Sequence, residues 1–236
     1  LEPQHHTDLG NAFRLVALHG NDFRNCVDRL FFWMGARWVP EVPGAMHRFA
    51  KDVILSLYND AALLQGEAAT SADLTPEERV QLSKRAEATA KWARTSENQA
   101  RINAMIGLAK EEGQVQIDVK AWDLDQWLLN TPAGTLDLRT NTLRPHDRAD
   151  YITMMTAASY DPQAGYLPWD DFLNRIMPDE TLRFYLQRAL GYSITGATTE
   201  EKLFMPWGPP ATGKSTLFRA VGNCLGDYAT VVGGET

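Results

Sequence analysis

The sequence predicts an α+β protein. A helix-rich part with small β-hairpins is expected over residues 1–197, followed over residues 198–236 by the truncated start of an α/β P-loop domain. Three observations predict this organisation. Apolar residues recur at helical spacing in the first half of the chain, and short strand-like runs flank glycine-containing turns. A phosphate-loop motif with an apolar run before it lies within the last 40 residues.

The composition is that of an ordinary globular protein. Hydrophobic residues make up 44% and charged residues 22% of the 236 positions, which excludes wholesale disorder and the fibrous classes. No apolar run approaches the ~20 residues of a membrane helix, and no secretory signal is expected. Cys26 and Cys224 are far apart, which favours buried thiols in a reducing cytoplasm, with a single disulfide as the alternative. No histidine or cysteine spacing predicts a structural metal.

The charge pattern allows one local nucleic-acid contact. The net charge is −7, so the chain as a whole does not coat DNA. Residues 79–110 nevertheless carry seven Lys or Arg against two Glu, a net charge of +5. This stretch could contact a DNA backbone, and a solvated helical face is the alternative. The candidate DNA-contacting residues are Lys84, Lys91 and Arg94, which fall on one helix side, and Arg101 beyond them. Trp92 lies among the first three in the sequence.

Capping signals predict the first four helices. Thr7 begins the first helix and Gly20 ends it. The second covers residues 46–64 and is followed by a polar connection over residues 65–74. Thr75 and Glu78 form a capping box that opens the third helix, which runs to about Arg94. Ser96 with Gln99 forms a second box that opens the fourth helix, which Gly113 ends.

Strands and further helices follow the same rules. Short strands are predicted at residues 29–33 and 37–39, then at 128–130, 134–139 and 142–145, with an extended stretch over 151–160. Helical spacing predicts a helix over 169–176 and another from Asp179, ended by Gly191. The aromatic residues of 29–38, together with Trp122, Trp127 and Trp169, are interpreted as core side chains, not base-stacking surfaces.

One motif carries chemistry. Residues 202–207 are apolar and strand-like, residues 208–215 match G-x-x-x-x-G-K-[ST], and residues 216–225 have a helical pattern. Pro209 and Pro210 lack an N–H, so the amides that hold phosphate must come from residues 211–216. Lys214 is the predicted catalytic residue because it can reach the β- and γ-phosphates, and Ser215 is the predicted Mg²⁺ ligand. The alternative is a Gly/Pro turn before a helix that happens to contain Lys-Ser.

The motif therefore predicts ATP and Mg²⁺ as cofactors. The predicted ATP-binding residues are Gly208, Pro209, Pro210, Ala211, Thr212, Gly213, Lys214, Ser215 and Thr216. Hydrolysis also needs an acidic residue at the end of a second strand. After the motif helix only Asp227, Tyr228 and the strand-like residues 229–232 could serve, before residues 233–236. We therefore expect a piece of a longer enzyme that is inactive by itself.

Several strings resemble the phage and plasmid primase–helicase family, which includes the poxvirus primase–helicases. They cover residues 7–12, 35–38, 123–130, 134–140, 143–146, 150–153, 160–162 and 185–196, so the resemblance extends over nearly the whole chain. It implies an accessory domain over 1–197 that leads into a superfamily 3 helicase of AAA+ type over 198–236. The motif departs from the family at Thr212, where members often have Asn and other AAA+ proteins have Thr.

The resemblance implies an ATP-dependent DNA helicase of phage or plasmid replication. Such an enzyme would be cytoplasmic in a bacterial host, would assemble into a hexamer and would bind DNA. Members often carry a primase domain further N-terminal, which nothing in this sequence matches. The Walker B acids, sensor and arginine finger are not assigned. Two other functions remain open: a non-enzymatic module that binds DNA or helps a hexamer assemble, and a P-loop kinase of small molecules.

Overall fold

The computed structural model describes residues 5–231, which form two compact units. The first unit contains the residues up to 33 together with 39–119, and the second contains residues 34–38 and those from 120 onward. Helices and small antiparallel sheets make up both units, which confirms the α+β, helix-rich class. The predicted boundary between residues 197 and 198 stays a prediction.

Four helices dominate the first unit. α2 packs along α3, and α1 packs against α4. Their caps include the predicted ones: Thr7 Oγ1 accepts the N–H of Gly10, and Thr75 and Glu78 form the full capping box. The helices are α1 (Asp8–His19), α2 (Ala45–Thr70), α3 (Pro76–Ser96) and α4 (Gln99–Lys110), followed by a 3₁₀ turn at Val119–Ala121.

A three-stranded sheet completes this unit, in the order β1 (Phe23–Cys26), β2 (Arg29–Trp33), β3 (Trp38–Pro40). β1 was not predicted. Its hairpin turn consists of Val27 and Asp28, both at positive φ (49° and 62°). Two-residue turns of this kind favour Asn-Gly, so the sequence carries no recognisable turn signal here.

The core of the first unit lies between the helices and this sheet. Its buried side chains come from one face of each of α1, α2 and α4, and from the cross-strand pair of Phe23 in β1 and Phe32 in β2. Burial of this apolar surface is the main stabilising contribution to the unit. The core residues are Ala12, Leu15, Val16, Phe23, Phe32, Ala45, Met46, Ala50, Val53, Ile54, Ile102, Met105, Ile106, Ala109 and Val115.

A buried polar contact joins α1 to α3. The Asn11 side chain is 1% exposed; its Nδ2 donates to Ser96 Oγ (2.9 Å), and its Oδ1 accepts from Trp92 Nε1 (3.0 Å). The prediction that Ser96 caps α4 was therefore wrong, because Ser96 ends α3 and its hydroxyl serves Asn11. Asn98 caps α4 instead, accepting the N–H of Ala100.

α2 extends six residues beyond the predicted end at residue 64. The predicted polar connection over 65–74 is helical as far as Thr70. The guanidinium of Arg79 donates to the carbonyl oxygens of Ala68, Ser71 and Leu74. Carbonyl groups at a helix C-terminus lack intrahelical donors, so a cation from α3 stabilises the additional turns.

The second unit begins with an antiparallel sheet, as predicted, in the order β4 (Leu128–Thr131), β5 (Gly134–Asp137), β6 (Thr142–Arg144). Trp38, Trp122 and Tyr151 form an aromatic cluster with ring centroids 5.7–6.1 Å apart. The unit continues with a 3₁₀ turn at Arg148–Asp150, α5 (Leu167–Ile176), α6 (Glu180–Ser193), α7 (Lys214–Leu225) and a 3₁₀ turn at Gly226–Tyr228.

Several predicted boundaries in this unit were wrong. The predicted strand at 202–207 is absent, and α6 continues past Gly191 to Ser193. Residues 151–160, predicted as an extended stretch, belong to no strand and form backbone bonds to several separate segments, such as Thr156 N to the oxygen of Asn130 (2.9 Å). Residues 229–231 are irregular, and the strand-like Val232 and residues 233–236 lie outside the described residues. Within the described chain, no helix combines the length and apolarity needed to cross a bilayer.

The α1–α3 contact can be tested by replacing Asn11 with Ala. The variant leaves the buried Ser96 hydroxyl and the half-buried Trp92 N–H without their Asn11 partner, so we expect the free energy of unfolding to fall by ~1–3 kcal/mol. Asn103→Ala is the matched control, because Asn103 is exposed on α4. Urea unfolding followed by tryptophan fluorescence measures both. Equal stability of the two variants would contradict the assigned contact.

Candidate functional site

The P-loop motif forms a turn that leads directly into α7. Gly213 precedes the first helical residue at φ 86°, and its oxygen accepts the N–H of Leu217 (2.9 Å). No side chain caps this helix. The first-turn amides of Lys214, Ser215 and Thr216 have no carbonyl partner from a preceding turn, so they can donate to an anion.

Lys214 folds back over the loop that precedes it. Its Nζ donates to the oxygens of Gly208 (2.9 Å) and Pro209 (2.5 Å) and to Thr212 Oγ1 (3.0 Å). Thr212 Oγ1 in turn donates to the Pro209 oxygen (2.9 Å). The ammonium group thus sits inside the ring of residues 208–214, and an anion bound there would compete with these neutral oxygens for it.

α5 packs directly against the loop at Gly213. A Cβ at this position would lie 2.7 Å from Ile176 Cγ2 and 3.4 Å from a Phe172 ring carbon. The positive φ is a second reason for glycine, since residues with a Cβ rarely adopt it. Gly213 therefore allows both the loop conformation and the close approach of α5.

The remaining predicted site residues lie on the outside of the loop. Pro209, Pro210, Ala211, Ser215 and Thr216 are exposed, and Gly208 is half-buried. The segment before them has no strand partner: Leu203, Met205 and Trp207 are 84%, 80% and 95% exposed. The predicted strand at 202–207 is absent because a strand needs a neighbouring strand to satisfy its backbone N–H and C=O groups.

The other end of α7 is tied to residues 155–158. The Cys224 oxygen accepts the N–H groups of Ala157 (3.1 Å) and Ala158 (3.2 Å). Asp227 and Met155 bond reciprocally, with Asp227 N donating to the Met155 oxygen and Met155 N donating to Asp227 Oδ2, each at 3.1 Å. Asp227 also forms an ion pair with Arg37. This acid, which follows the motif helix in sequence, therefore has a positioning role in the structure.

Tyr228 extends this attachment to β4. Its hydroxyl accepts the backbone N–H of Asn130 (3.1 Å) and lies 3.5 Å from the Met154 oxygen. Burial raises the pKa of Tyr228 to about 12, so the neutral phenol persists far above neutral pH. The sequence predicts Asn130 at the end of a strand and Tyr228 after the motif helix. No local pattern in the sequence indicates that these two residues contact each other.

The basic stretch divides into two parts. Lys84, Lys91 and Arg94 are exposed on α3, spaced by seven and three residues, so they lie along one side of the helix. Arg101, by contrast, pairs with Asp8 (3.1 Å) and lies over the Trp92 ring at 4.8 Å. Its guanidinium is committed to contacts within the unit. Trp92 is held by Asn11 and Arg101 and does not project as a free aromatic surface.

Comparison with known proteins places these observations in a family. Residues 12–178 match the family described as "D5 N terminal like". The chain therefore belongs to this family, whose region ends before the P-loop motif. A 128-residue stretch is also 27% identical to the "Putative helicase L207/L206" of Acanthamoeba polyphaga mimivirus. That match spans 51% of this chain and 13% of the mimivirus protein.

The attachment of α7 predicts opposite effects for two neighbouring glycines. Gly226 has φ 57° and ψ −119°, and a Cβ there would lie 2.6 Å from Ala157 N and 2.9 Å from the Met155 oxygen. We expect Gly226→Ala to lower the free energy of unfolding by about 2 kcal/mol or more, from strain and displacement of that segment.

Gly222 is the matched control in the interior of α7. A Cβ there would come no closer than 3.9 Å to any neighbour, that of Ala229. Gly222→Ala should therefore raise stability by ~0.5–1 kcal/mol. Denaturant unfolding measures both variants, and faster amide hydrogen exchange at Ala157 and Ala158 in Gly226→Ala alone would locate the effect. Similar behaviour of the two variants would count against the attachment.

Proposed function

We propose that this chain is part of an ATP-dependent DNA helicase of the primase–helicase type, acting in phage or plasmid replication. The observation that carries the proposal is a P-loop at residues 208–215 that follows, after α6, a D5 N terminal like region ending at residue 178, with Lys214 turned into the loop. The helicase name of the mimivirus relative supports the same assignment. We further propose that the chain begins a superfamily 3 AAA+ domain at residue 198 and works as a hexamer.

The loop supplies what a triphosphate needs. Donors come from the free amides at the start of α7, which the helix dipole makes favourable for an anion. Lys214 would exchange its three oxygen acceptors within the loop for the charged β- and γ-phosphate oxygens. The exchange is favourable because a charge-assisted hydrogen bond to an anionic oxygen is stronger than one to a neutral oxygen. Residues 208–216 thereby form the proposed ATP site.

The proposed magnesium ligand is Ser215. Its side chain is exposed beside Lys214 in the first turn of α7, and a hydroxyl oxygen is a ligand type that Mg²⁺ accepts. The ion would neutralise phosphate charge during hydrolysis. The chain's own contribution is to hold the hydroxyl next to the amides and Lys214.

Replacing Lys214 with Ala tests the site. Ala keeps α7 intact, since it is the best helix former, but removes the cation. We expect ATP binding by the 236-residue chain to weaken at least about tenfold. In a longer protein that includes this chain, we expect loss of DNA-stimulated ATP hydrolysis.

Lys202→Ala is the control, because Lys202 is exposed outside the motif and should leave ATP binding unchanged. Isothermal titration measures binding, and phosphate release measures hydrolysis. ATP binding that is equally strong in the wild-type chain and in Lys214→Ala would refute the proposed site.

A second candidate function is DNA binding without catalysis. The exposed row of Lys84, Lys91 and Arg94 favours it, since three cations along one helix side can follow a phosphate backbone. This role is compatible with the helicase proposal, because a helicase must also hold DNA. Arg101 makes a weaker candidate contact because Asp8 neutralises it.

The row predicts a specific salt dependence. Changing Lys84, Lys91 and Arg94 to Ala should weaken DNA binding and reduce the slope of log K against log salt by about 2–3, close to one per lost phosphate contact. A triple Ala variant of Lys51, Arg188 and Lys202 removes the same charge from exposed positions elsewhere and should change the slope little. Fluorescence anisotropy over a salt series measures both. Equal slopes in the two variants would indicate that Lys84, Lys91 and Arg94 form a solvated helical face that does not contact DNA.

A further inference from the structure

The two sides of α5 face different parts of the structure. Trp169 and Leu173 line a groove shared with α6, whereas Phe172 and Ile176 approach the P-loop at Gly213. Arg175 belongs to the second side, since it follows Phe172 by three residues. Helix α5 therefore presents a cation, flanked by apolar side chains, to the P-loop.

These residues enclose a cavity of about 350 Å³. Three residues of α5 form one wall and three residues of the loop form the other. A volume in this range is large enough for part of a nucleotide. The lining residues are Phe172, Arg175, Ile176, Ala211, Thr212 and Gly213.

Arg175 is the charged residue among those that line this cavity. No acidic residue lines it, and no described residue forms an ion pair with Arg175. Lys214 directly follows the lining residue Gly213, and the α7 N-terminus adds a partial positive charge. A cavity surrounded by two cations and a helix N-terminus favours a multiply charged anion.

The backbone of the loop also indicates that phosphate would bind on the side that lines the cavity. Pro209 and Pro210 have no N–H to donate, so phosphate oxygens must lie against residues 211–216. Ala211, Thr212 and Gly213 are the loop residues that face Arg175 across the cavity. A phosphate chain held by these amides would therefore lie between Lys214 and the guanidinium.

We infer that Arg175 is a second phosphate-binding cation of this site, so that the cavity between α5 and the P-loop takes the polyphosphate chain of a nucleoside triphosphate. The inference rests on the proposed nucleotide-binding function and adds a residue outside the motif. A guanidinium binds two oxygens of one phosphate through a planar fork of N–H groups, a geometry that the ammonium group of Lys214 does not provide. In this arrangement α5 contributes to phosphate binding, and the packing of Phe172 and Ile176 at Gly213 places Arg175 beside the loop.

The test compares ligands with and without phosphate on the 236-residue chain. In Arg175→Gln we expect binding of ATP and of inorganic tripolyphosphate to weaken to a similar degree, about tenfold, and adenosine binding to stay unchanged. Arg175→Lys should recover part of the loss, because it restores charge without the bidentate geometry. Arg219→Gln is the matched control, since Arg219 is exposed on α7 and lies outside the cavity.

The outcomes separate the inference from the proposed function. Binding that depends on Lys214 but not on Arg175 overturns the inference and leaves the P-loop site standing. Tripolyphosphate binding that depends on Arg175 but not on Lys214 supports the cation and contradicts the P-loop assignment. An Arg175→Gln variant that weakens adenosine as much as ATP overturns the inference, because the side chain would then recognise the base or sugar. An unchanged melting temperature of Arg175→Gln excludes loss of fold as the cause.

Discussion

The buried side chain of Asn130 is the contact on which the second unit depends. Its Nδ2 donates to the oxygens of Ala36 (3.1 Å) and Met154 (3.0 Å), and its Oδ1 accepts from His146 Nδ1 at 2.9 Å. The backbone N–H of Asn130 donates to the Tyr228 hydroxyl. An amide fits these partners, because an Asp carboxylate offers no donor and an apolar side chain would remove the hydrogen bonds to the Ala36 and Met154 oxygens.

The same contact reaches the proposed functional site through the C-terminal end of α7. Asn130 binds Tyr228, Asp227 binds Met155 and Arg37, and Gly226 allows the close approach. At the N-terminal end of α7, α5 packs on Gly213. The P-loop helix is thus held at both ends by segments that precede it in the chain. Under the proposed function, phosphate binding would require a change of hydrogen-bond partners for Lys214.

Some basic side chains of the first unit are bonded within the unit and others are exposed to solvent. The difference matters for the proposed DNA binding. Arg79 stabilises the end of α2 and Arg101 pairs with Asp8, so both guanidinium groups are already partly desolvated and paired. Lys84, Lys91 and Arg94 remain exposed. DNA binding gains free energy when a protein cation displaces the counterions condensed on the phosphates. Since a paired cation must first give up its partner, the exposed row is the better candidate DNA surface. The net charge of residues 79–110 therefore overestimates how many cations are available to bind DNA.

The sequence by itself determined the local interactions. The helix starts at Thr7, at Thr75 with Glu78 and at Asp179 follow from hydrogen bonds between residues two or three positions apart, and the P-loop is one contiguous motif. The helix-rich α+β class and the β4–β6 hairpins follow from spacing in the same way. These predictions hold because their physical causes lie within a few residues.

Contacts between distant residues were decided only by the tertiary structure. Ser96 serves Asn11 instead of capping α4, Arg79 prolongs α2, and Arg101 turns away from solvent to Asp8. Residues 202–207 form no strand despite their apolar pattern, since no neighbouring strand pairs with them. Asn130, Gly226 and Arg175 have no distinctive local pattern, because their roles depend on which segments the fold brings against them.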